Sequence, residues 1–444
     1  MKGYESAGDY VMVKNAYECI VIGLNFVSCE LIADTNLLNH LIMTTHVKSF
    51  LLPAAIAVLF ACNEAPQANY LEDAPVVAAR TLPDGEEFIE LNPSLLKDTV
   101  IFPLSYFTEE LQIIKLDDRD EALVNPYRVY MSENYFLTHA SETTPCKLFD
   151  KQGRYLADIG SFGQGPGEYR YLYAGQIDEP AGRIYLMPYG TESLLVYDLE
   201  GNVLPPVPLA YKAHKSLFLV RDNEVLVMGE PHPDIPSFIW VQDLKGNKLY
   251  DIPSSLDFPF DYSTEVLSSL NGDAIDFSHW TWTPRADSLY HIDLVKKKLI
   301  PRFTASFKGE ALKPHMYTEW PGYFLGSTST IVTVSMMDES GNMQMRKEGD
   351  EPAYYIVDKK TLKGAYFGLV NDFLGEERFN QPIFLRNGYY LSCVDPGDLE
   401  ERIEKALASD RLSDKMRQKL TEVQANMTAN DNNYILYAKL KGAE

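Results

Sequence analysis

The sequence predicts an all-β protein, a six-bladed β-propeller with a short helical insertion in the last blade. The main evidence is an apolar-Asp-x-x-Gly pattern at Asp150, Asp198 and Asp243, which lie 48 and then 45 residues apart. Weaker copies end apolar runs at Asp293 and Asp358. A repeat of about 40 to 50 residues indicates stacked supersecondary units, and the four-stranded propeller blade fits this length.

Each copy of the pattern is expected to form the turn between two strands. In the second copy, β-rich runs at 183–187 and 193–197 precede Asp198-Leu199-Glu200-Gly201, and Val203 begins the next run. Aspartate accepts hydrogen bonds from backbone amides two residues on, and glycine adopts the positive φ that such a turn needs. The neighbours are apolar strands rather than further carboxylates, which favours a turn over a calcium ligand.

Blades 5 and 6 depart from the regular repeat. The 65 residues from Asp293 to Asp358 exceed the period, and the polar stretch 338–351 predicts an elongated hairpin that protrudes from blade 5. The apolar run 382–385 predicts the start of blade 6.

The C-terminal part combines a helical segment with a closing strand. Residues 398–427 have apolar side chains spaced by three or four, which predicts helix, and Asp398 with Glu401 resembles a capping box. Residues 434–440 return to strand character. We expect this strand to close the ring against a partner within 99–116, because ring closure removes exposed edges.

The N-terminal part predicts export. An uncharged run of 13 residues, 49–61, follows His46 and Lys48 and precedes Cys62. This run is too short to span about 30 Å of hydrocarbon as a helix, which favours a signal peptide over a membrane anchor. Leu59-Phe60-Ala61-Cys62 resembles a bacterial lipobox, so Cys62 is the predicted lipidation site, and ordinary cleavage near position 61 is the alternative.

These segments define the expected organisation of the chain. We expect residues 1–42 to be an upstream extension from a start codon assigned too early, 43–62 a lipoprotein signal peptide, 63–87 a flexible tether and 88–444 the propeller. The mature protein would then be held in the cell envelope by its lipid alone, on the periplasmic side or at the cell surface.

Charge and composition exclude several classes of partner and site. The net charge is −23 at pH 7, and so acidic a protein repels phosphate backbones, which argues against nucleic-acid binding. Cys146 and Cys393 do not make a disulfide framework. No Cys or His pair has zinc-site spacing, and His232 in Pro-His-Pro is interpreted as a loop residue. The sequence therefore predicts no metal site and no cofactor, and it does not define an oligomeric state.

A second motif follows the first repeat directly, as Gly160-Ser161-Phe162-Gly163-Gln164-Gly165-Pro166-Gly167-Glu168-Tyr169. Together with the repeats it resembles the six-bladed β-propeller lipoproteins of Bacteroides and related gut bacteria, which are relatives of the NHL-repeat propellers and carry GxGPGE(Y/F) at this place. The likeness covers roughly residues 88–441, including the helical insertion and the strand after Asn432-Asn433, although Tyr434 stands where the family commonly has proline. The resemblance implies the fold and export but no particular activity.

The glycine-rich motif itself has a structural and a functional interpretation. Gly163, Gly165 and Gly167 around Pro166 predict a sharp crossover between blades with positive φ values, and Glu168 can accept the exposed amides. A loop that faces a ligand is the alternative. A phosphate-binding loop of the Walker type is excluded, because no helical pattern and no lysine follow.

The function that the sequence favours is non-catalytic binding of a glycan or an envelope protein. Trp280, Trp282 and Trp320, with His279, lie in two short polar-flanked segments and are the candidate ligand-binding residues, since such rings can stack on sugars. Packing between blades is the structural alternative for each tryptophan. The default site is the mouth of the central channel beside the loops that follow the inner strands.

The alternative function is a metal-dependent propeller enzyme, lactonase-like or lyase-like, with calcium or zinc in the central channel. The supposed inner strands at 225–228 and 331–334 are largely apolar, which weakens this alternative. No Gly-x-Ser-x-Gly elbow is present, so a serine hydrolase is excluded and no catalytic residue is predicted. The acidic and histidine candidates are Glu224, Asp276, His279 and Glu319.

Overall fold

A computed structural model describes most of the chain from residue 68 onwards. The described residues are 24–25, 68–126, 128–140, 144–254, 260–271, 273–281, 283–307, 313–329, 332–337, 343–348, 352–375, 377–379, 387–428 and 430–443. Residues 1–26 and 70–444 form one unit, which contains the propeller, and residues 27–69 form a second, of which only 68 and 69 are described. The predicted extension, signal peptide and lipidation site Cys62 therefore lie outside the described residues, apart from 24–25.

Six antiparallel sheets form the blades of the propeller, as predicted. From the channel outwards, blade 1 contains Arg128–Met131, Tyr135–His139, Cys146–Asp150 and Tyr155–Ile159. Blade 2 contains Leu172–Asp178, Arg183–Pro188, Thr191–Asp198 and Val203–Ala213, and the short strand Leu24–Asn25 pairs with its first strand. Blade 3 contains Leu217–Arg221, Glu224–Met228, Ile239–Asp243 and Lys248–Asp251.

The other three blades each recruit strands from the N-terminal segment. Blade 4 contains Glu265–Asn271, Ala274–Trp280, Leu289–Asp293 and Lys298–Ala305, with Phe88–Leu91 and Ala78–Thr81 added outside. Blade 5 contains His315–Trp320, Tyr323–Thr328, Ala353–Asp358 and Gly364–Asn371, to which Thr99–Pro103 and Glu377–Arg378 pair. Blade 6 contains Tyr389–Val394, Tyr434–Lys439 and Gln112–Lys115, and its predicted first strand at 382–385 lies outside the described residues.

Ring closure follows the prediction. The C-terminal strand Tyr434–Lys439 pairs with Gln112–Lys115, within the partner segment expected at 99–116. Asn432 fixes the approach to this strand. Its side-chain oxygen accepts from the amide of Val124 at 3.1 Å, and its amide donates to the carbonyls of Asp117 and Ala122 at 2.7 and 2.8 Å.

The propeller begins earlier than the sequence predicted. Residues 63–87 were expected to be a flexible tether, but Ala78–Thr81 is a strand at the edge of blade 4. Leu71 and Val77 are buried. Apolar side chains in this segment are thus removed from water, which stabilises the segment against the propeller. The predicted tether was polar and had no such buried side chains.

The helical insertion lies between the second-last and last strands, as predicted, and consists of two helices, Pro396–Leu407 and Asp414–Ala425. The N-cap is Asp395, which accepts from the amide of Gly397 at 2.8 Å, rather than the predicted Asp398. Proline at the first helical position suits this earlier start. A single helical turn at Leu104–Phe107 and four 3₁₀ turns complete the helices of the described residues: Pro83–Gly85, Pro93–Leu95, Asp120–Ala122 and Asp372–Leu374.

The Asp-x-x-Gly turns form as expected. The carboxylate of Asp150 accepts from the amides of Gln152 and Arg154 at 3.0 and 2.9 Å, and Gly153 has φ of +82°. Asp198 and Asp243 make the equivalent pairs of bonds. The extra hairpin of blade 5 is also present, with strands Val332–Met337 and Met343–Glu348. The strand at 332–337 therefore belongs to this insertion, and the prediction that 331–334 is an inner strand was wrong.

Candidate functional site

One face of the propeller collects most of the polar and aromatic side chains that could contact a ligand. Strands alternate in direction within each blade, so the loops from second to third strands and from blade to blade open on the same side. We call this side the crossover face. The Asp-x-x-Gly turns join third to fourth strands and lie on the opposite side. The sequence favoured the mouth beside the loops that follow the inner strands, which is that opposite side.

Charged side chains from three blades meet at the channel mouth of the crossover face. Lys215, before the inner strand of blade 3, donates to a carboxylate oxygen of Glu265 in blade 4 at 2.7 Å. The hydroxyl of Tyr173 in blade 2 donates to the other oxygen of Glu265. Arg128 of blade 1 donates to the carbonyl of Tyr173 at 2.6 Å. This cluster links the first four blades and neutralises Glu265.

Glu230 adds a carboxyl group with unusual properties to this cluster. It is 2% exposed, and one of its oxygens has no hydrogen-bond partner among the described residues. Burial raises the pKa of Glu230 to about 7, against the opposing effect of Lys215. Near neutral pH the group can therefore donate or accept a proton at little cost.

A row of aromatic rings extends outwards from this cluster along blades 2 to 4, and we call it the aromatic rim. Tyr189 meets His214 edge-on with ring centroids 6.5 Å apart, and His214 stacks on His232 at 3.8 Å and 13°. His232 meets Phe260 edge-on at 4.7 Å, and Phe260 meets Tyr262 in the same way at 4.7 Å. The rings thus form one unbroken series across three blades.

The two ends of the aromatic rim face solvent. Tyr262 is 71% exposed and Tyr189 is 44% exposed. Lys215 donates to the carbonyl of Tyr262 at 2.6 Å, which fixes its backbone. The preceding Asp261 accepts hydrogen bonds from Thr281 and Thr283 at 2.8 and 2.5 Å. Burial opposes ionisation of Asp261, but the bonds from Thr283 and Ser263 outweigh it and lower its pKa to about 2. Hydrogen bonds therefore fix the backbone that carries the exposed Tyr262 ring.

Two of the three predicted tryptophans are buried in the structure. Trp320 is 1% exposed and packs edge-on against Phe107 with ring centroids 4.9 Å apart. Trp280 is 8% exposed, and Trp282 lies outside the described residues. His279 is buried with Nε2 3.0 Å from the carbonyl of Gly229, and burial lowers its pKa to about 3. The ring contact of Trp320 fits the structural alternative, packing within the fold.

The glycine-rich motif forms the crossover from blade 1 to blade 2. Glu168 accepts from the amide of Gly165 at 2.7 Å, as expected. Gly167 has φ of +74°, and a β-carbon there would lie 2.6 Å from a methyl group of Val203. Gly163 and Gly165 do not have positive φ, so the prediction was wrong on this point. A β-carbon on Gly163 would instead collide with the Glu168 carboxylate at 2.0 Å. These contacts give the motif a structural role.

The acidic candidates for a channel metal only partly come together. Asp276 and Glu319 both contact His291 Nε2, at 3.2 and 2.7 Å, between blades 4 and 5. Lys359 contacts the other oxygen of Glu319 at 2.5 Å. Burial disfavours the imidazolium, but bonds to the two carboxylates outweigh it and raise the pKa of His291 to about 9. Burial raises the pKa of Asp276 to about 7 against the bond from His291, so the two cations chiefly balance Glu319. Glu224 is exposed elsewhere on blade 3.

Enclosed space is small in this part of the molecule. Two cavities between blades 4 and 5 have volumes of about 10 Å³ each, which is room for roughly one water molecule. One is lined by His279, Arg285, Asp287 and His315, and the other by Ser268, Asp276 and Thr318. A ligand of the crossover face would therefore lie on the aromatic rim rather than inside these cavities.

Sequence reasoning missed the aromatic rim because its members come from loops of three blades. His214 and His232 are 18 residues apart, and Phe260 and Tyr262 follow on another crossover. The position of each ring relative to the predicted strands could have indicated the aromatic rim. Each ring lies next to the start of an inner strand or after a second strand, and those loops share one face.

Comparison of the sequence with models of protein families identifies the family of this chain. A model of the domain of unknown function DUF4934 matches residues 87–439. The chain belongs to the DUF4934 family. The matched span includes strands of all six blades and the closing strand, and it begins after the edge strand Ala78–Thr81.

Two of the solved structures that are similar to this DUF4934 propeller come from Bacteroides. A candidate exported protein, BF0058, from Bacteroides fragilis NCTC 9343 is 17% identical, with a TM-score of 0.53 over 78% of this chain and 100% of that one. A member of the duf4221 family from Bacteroides vulgatus ATCC 8482 is 12% identical, with a TM-score of 0.43 over 75% and 97%. The first likeness supports the fold. No curated protein matches, and among the described residues no helix has the length and apolar character needed to cross a membrane.

Proposed function

We propose that this DUF4934 protein is an exported, lipid-anchored binding module that recognises a glycan through the crossover face of its propeller. The observation that carries this proposal is the aromatic rim, whose rings touch in series and whose ends, Tyr189 and Tyr262, are exposed. No catalytic step is assigned.

The chemistry of the aromatic rim favours a sugar as the ligand. Tyrosine offers an apolar ring face for the C–H surface of a pyranose and a hydroxyl for its polar groups. Carboxylates lie beside the rings, since Asp234 is exposed next to His232 and Asp261 precedes Tyr262. Hydrogen-bonding groups beside a ring face are what a polyhydroxylated ligand requires. The net charge of −23 favours neutral rather than acidic glycans.

A thermal-shift screen against neutral glycans tests this proposal, because a ligand of the native state raises its stability. The wild type is compared with Tyr262→Ala and Tyr189→Ala. Leu249→Ala is the matched control, since Leu249 is also exposed but lies on the outer strand of blade 3. We expect a glycan that stabilises wild type and control but not the tyrosine variants.

Other outcomes point elsewhere. A glycan shift that survives both tyrosine substitutions would reject the aromatic rim as the site. The absence of any glycan shift, together with capture of an envelope protein that depends on Tyr262, would replace the glycan by a protein partner. A calcium shift abolished by chelator would support the metal-dependent enzyme alternative.

Export and anchoring have a separate test. Cys62→Ser removes the proposed lipidation site and is expected to release the protein from membranes. Metabolic labelling with a fatty-acid analogue measures this directly. Unchanged labelling of the variant would reject Cys62 as the attachment point.

A further inference from the structure

Three potential metal ligands meet at the centre of the aromatic rim. His214, His232 and Asp234 each present a donor atom, and these atoms lie within 4.8 Å of one another. His214 follows the outer strand of blade 2, whereas His232 and Asp234 belong to the loop after the second strand of blade 3. The spacing of residues along the sequence did not indicate this site, because a zinc motif is sought among histidines that are close in the chain.

The donor nitrogen of His214 is available for coordination, and the donor atoms of His232 and Asp234 lie close together. Nε2 of His214 is buried and has no hydrogen-bond partner among the described residues. Nδ1 of His232 lies 3.6 Å from a carboxylate oxygen of Asp234. Two ligands about 2.1 Å from a tetrahedral zinc ion are separated by roughly 3.4 Å, so this pair is already close to that spacing.

The three side chains also match the ligands that zinc prefers. Two imidazoles and one carboxylate form the ligand set of many catalytic zinc sites and suit cobalt and nickel as well, whereas calcium prefers oxygen ligands alone.

We propose that His214, His232 and Asp234 bind one zinc-class divalent cation on the crossover face. The two imidazole rings are stacked nearly parallel, with centroids 3.8 Å apart, so their nitrogens do not point at a common ion. One imidazole must therefore turn before both can bind it. The amide of Asp234 donates a hydrogen bond to His232 Nδ1 at 3.2 Å, and the metal would replace this donor. Three protein ligands would leave a fourth tetrahedral position for water, and the exposed Asp234 side chain gives the site access to solvent. This proposal does not rest on glycan binding, since it uses the donor atoms rather than the exposed tyrosines.

The test is calorimetric titration of untagged, chelator-treated protein with zinc alone, and with cobalt to record the visible absorption of its complex. We expect one equivalent of zinc to bind, with affinity falling as the pH is lowered because protons compete for the histidines. His214→Ala and His232→Ala are expected to weaken binding at least 100-fold, and Asp234→Asn about tenfold. Asp273→Asn, a fully exposed carboxylate on blade 4, is the matched control and should bind as the wild type does.

Asp234 is 77% exposed, so we expect Asp234→Asn to leave the fold intact. This variant keeps the test decisive if a histidine variant unfolds. Failure of the wild type to bind zinc would overturn the proposal. So would binding that is unchanged in all three variants, which would direct attention to the network around His291. Loss of zinc binding in Asp234→Asn with an unchanged glycan shift of that variant would separate this site from the proposed function.

Discussion

Gly153 lies so close to Lys115 that a β-carbon on the glycine would be 2.0 Å from the lysine carbonyl oxygen. The same relationship joins Gly201 to the carbonyl of Asp158, at 2.4 Å, and Gly246 to that of Pro208, at 3.1 Å. In each case the Asp-x-x-Gly turn of one blade packs against the outer strand of the blade before it, and for blade 1 that blade is blade 6. The repeat pattern therefore encodes contact between blades as well as the turn.

Gly153→Ala is expected to destabilise the protein by roughly 2–4 kcal/mol, because it adds a collision with backbone to the cost of positive φ. Gly322→Ala is the matched control, since Gly322 has φ of +79° but open space around it. We expect the control to lose only about 1 kcal/mol. Chemical denaturation measures both, and equal losses would show that the turn can move away from blade 6.

The glycine-rich crossover offers a second matched pair. Gly167→Ala is expected to destabilise by about 1–3 kcal/mol through positive φ and the close methyl group of Val203. Gly165→Ala should cost less, because its φ is ordinary and its nearest neighbour is the flexible side chain of Glu168. Melting temperatures compare the two, and a larger loss for Gly165→Ala would contradict this account of the motif.

Asn432→Ala tests the anchor of the closing strand. The substitution leaves the Val124 amide and the carbonyls of Asp117 and Ala122 without their partner in a buried site, so we expect a loss of about 2–4 kcal/mol. Asn426→Ala, at the exposed end of a helix, should change stability by less than about 1 kcal/mol. A mild effect of Asn432→Ala in urea denaturation would mean that water replaces the side chain.

Glu230→Gln is expected to change the pH dependence of stability. The usual pKa of a glutamate side chain is 4.5, whereas the pKa of Glu230 in the native protein is about 7. Between these two pH values the native carboxyl retains a proton that the unfolded chain releases. Glu230 therefore lowers the free energy of unfolding as the pH rises. The glutamine variant lacks this penalty and should gain up to about 3 kcal/mol relative to the wild type between pH 5 and pH 8. Denaturation at both pH values measures the gain.

The exposed Glu200 on the opposite face provides the control for that experiment, because Glu200→Gln should leave the pH profile parallel to that of the wild type. A Glu230→Gln profile that is also parallel would mean that Glu230 ionises normally in the native protein.

The fold was predictable because its determinants are local and repeated. The turns at Asp150, Asp198 and Asp243 contain their own hydrogen-bonding groups, and the closing strand has a clear apolar pattern. The start of the first long helix was predicted three residues late, because Asp395 and Pro396 precede the helical periodicity that locates Asp398. The tether prediction was wrong because residues 78–81 have no apolar alternation, and the strand with which they pair, Phe88–Leu91, is itself held by blade 4.

The candidate site was less predictable, because it depends on which loops meet. Tryptophan is a common ligand contact and also a common core residue, and only the packing of Trp320 against Phe107 separates the two. The contact between His214 and His232 requires the crossover of blade 2 and a loop of blade 3 to converge. The pairing of Asp276 with Glu319 through His291 depends in the same way on the angle between two blades.

The N-terminal strands, which add edges to blades 4, 5 and 6, also impose an order of events on synthesis. Phe88–Leu91, Thr99–Pro103 and Gln112–Lys115 leave the ribosome first, yet their partners near residues 303, 366 and 434 are made last. Blades 1 to 3 contain their own partners and can pair as they emerge. These N-terminal strands must wait unpaired until their partners have been made, so the ring can close only after Tyr434–Lys439 has been synthesised, and a chain truncated before that strand would leave blade 6 open.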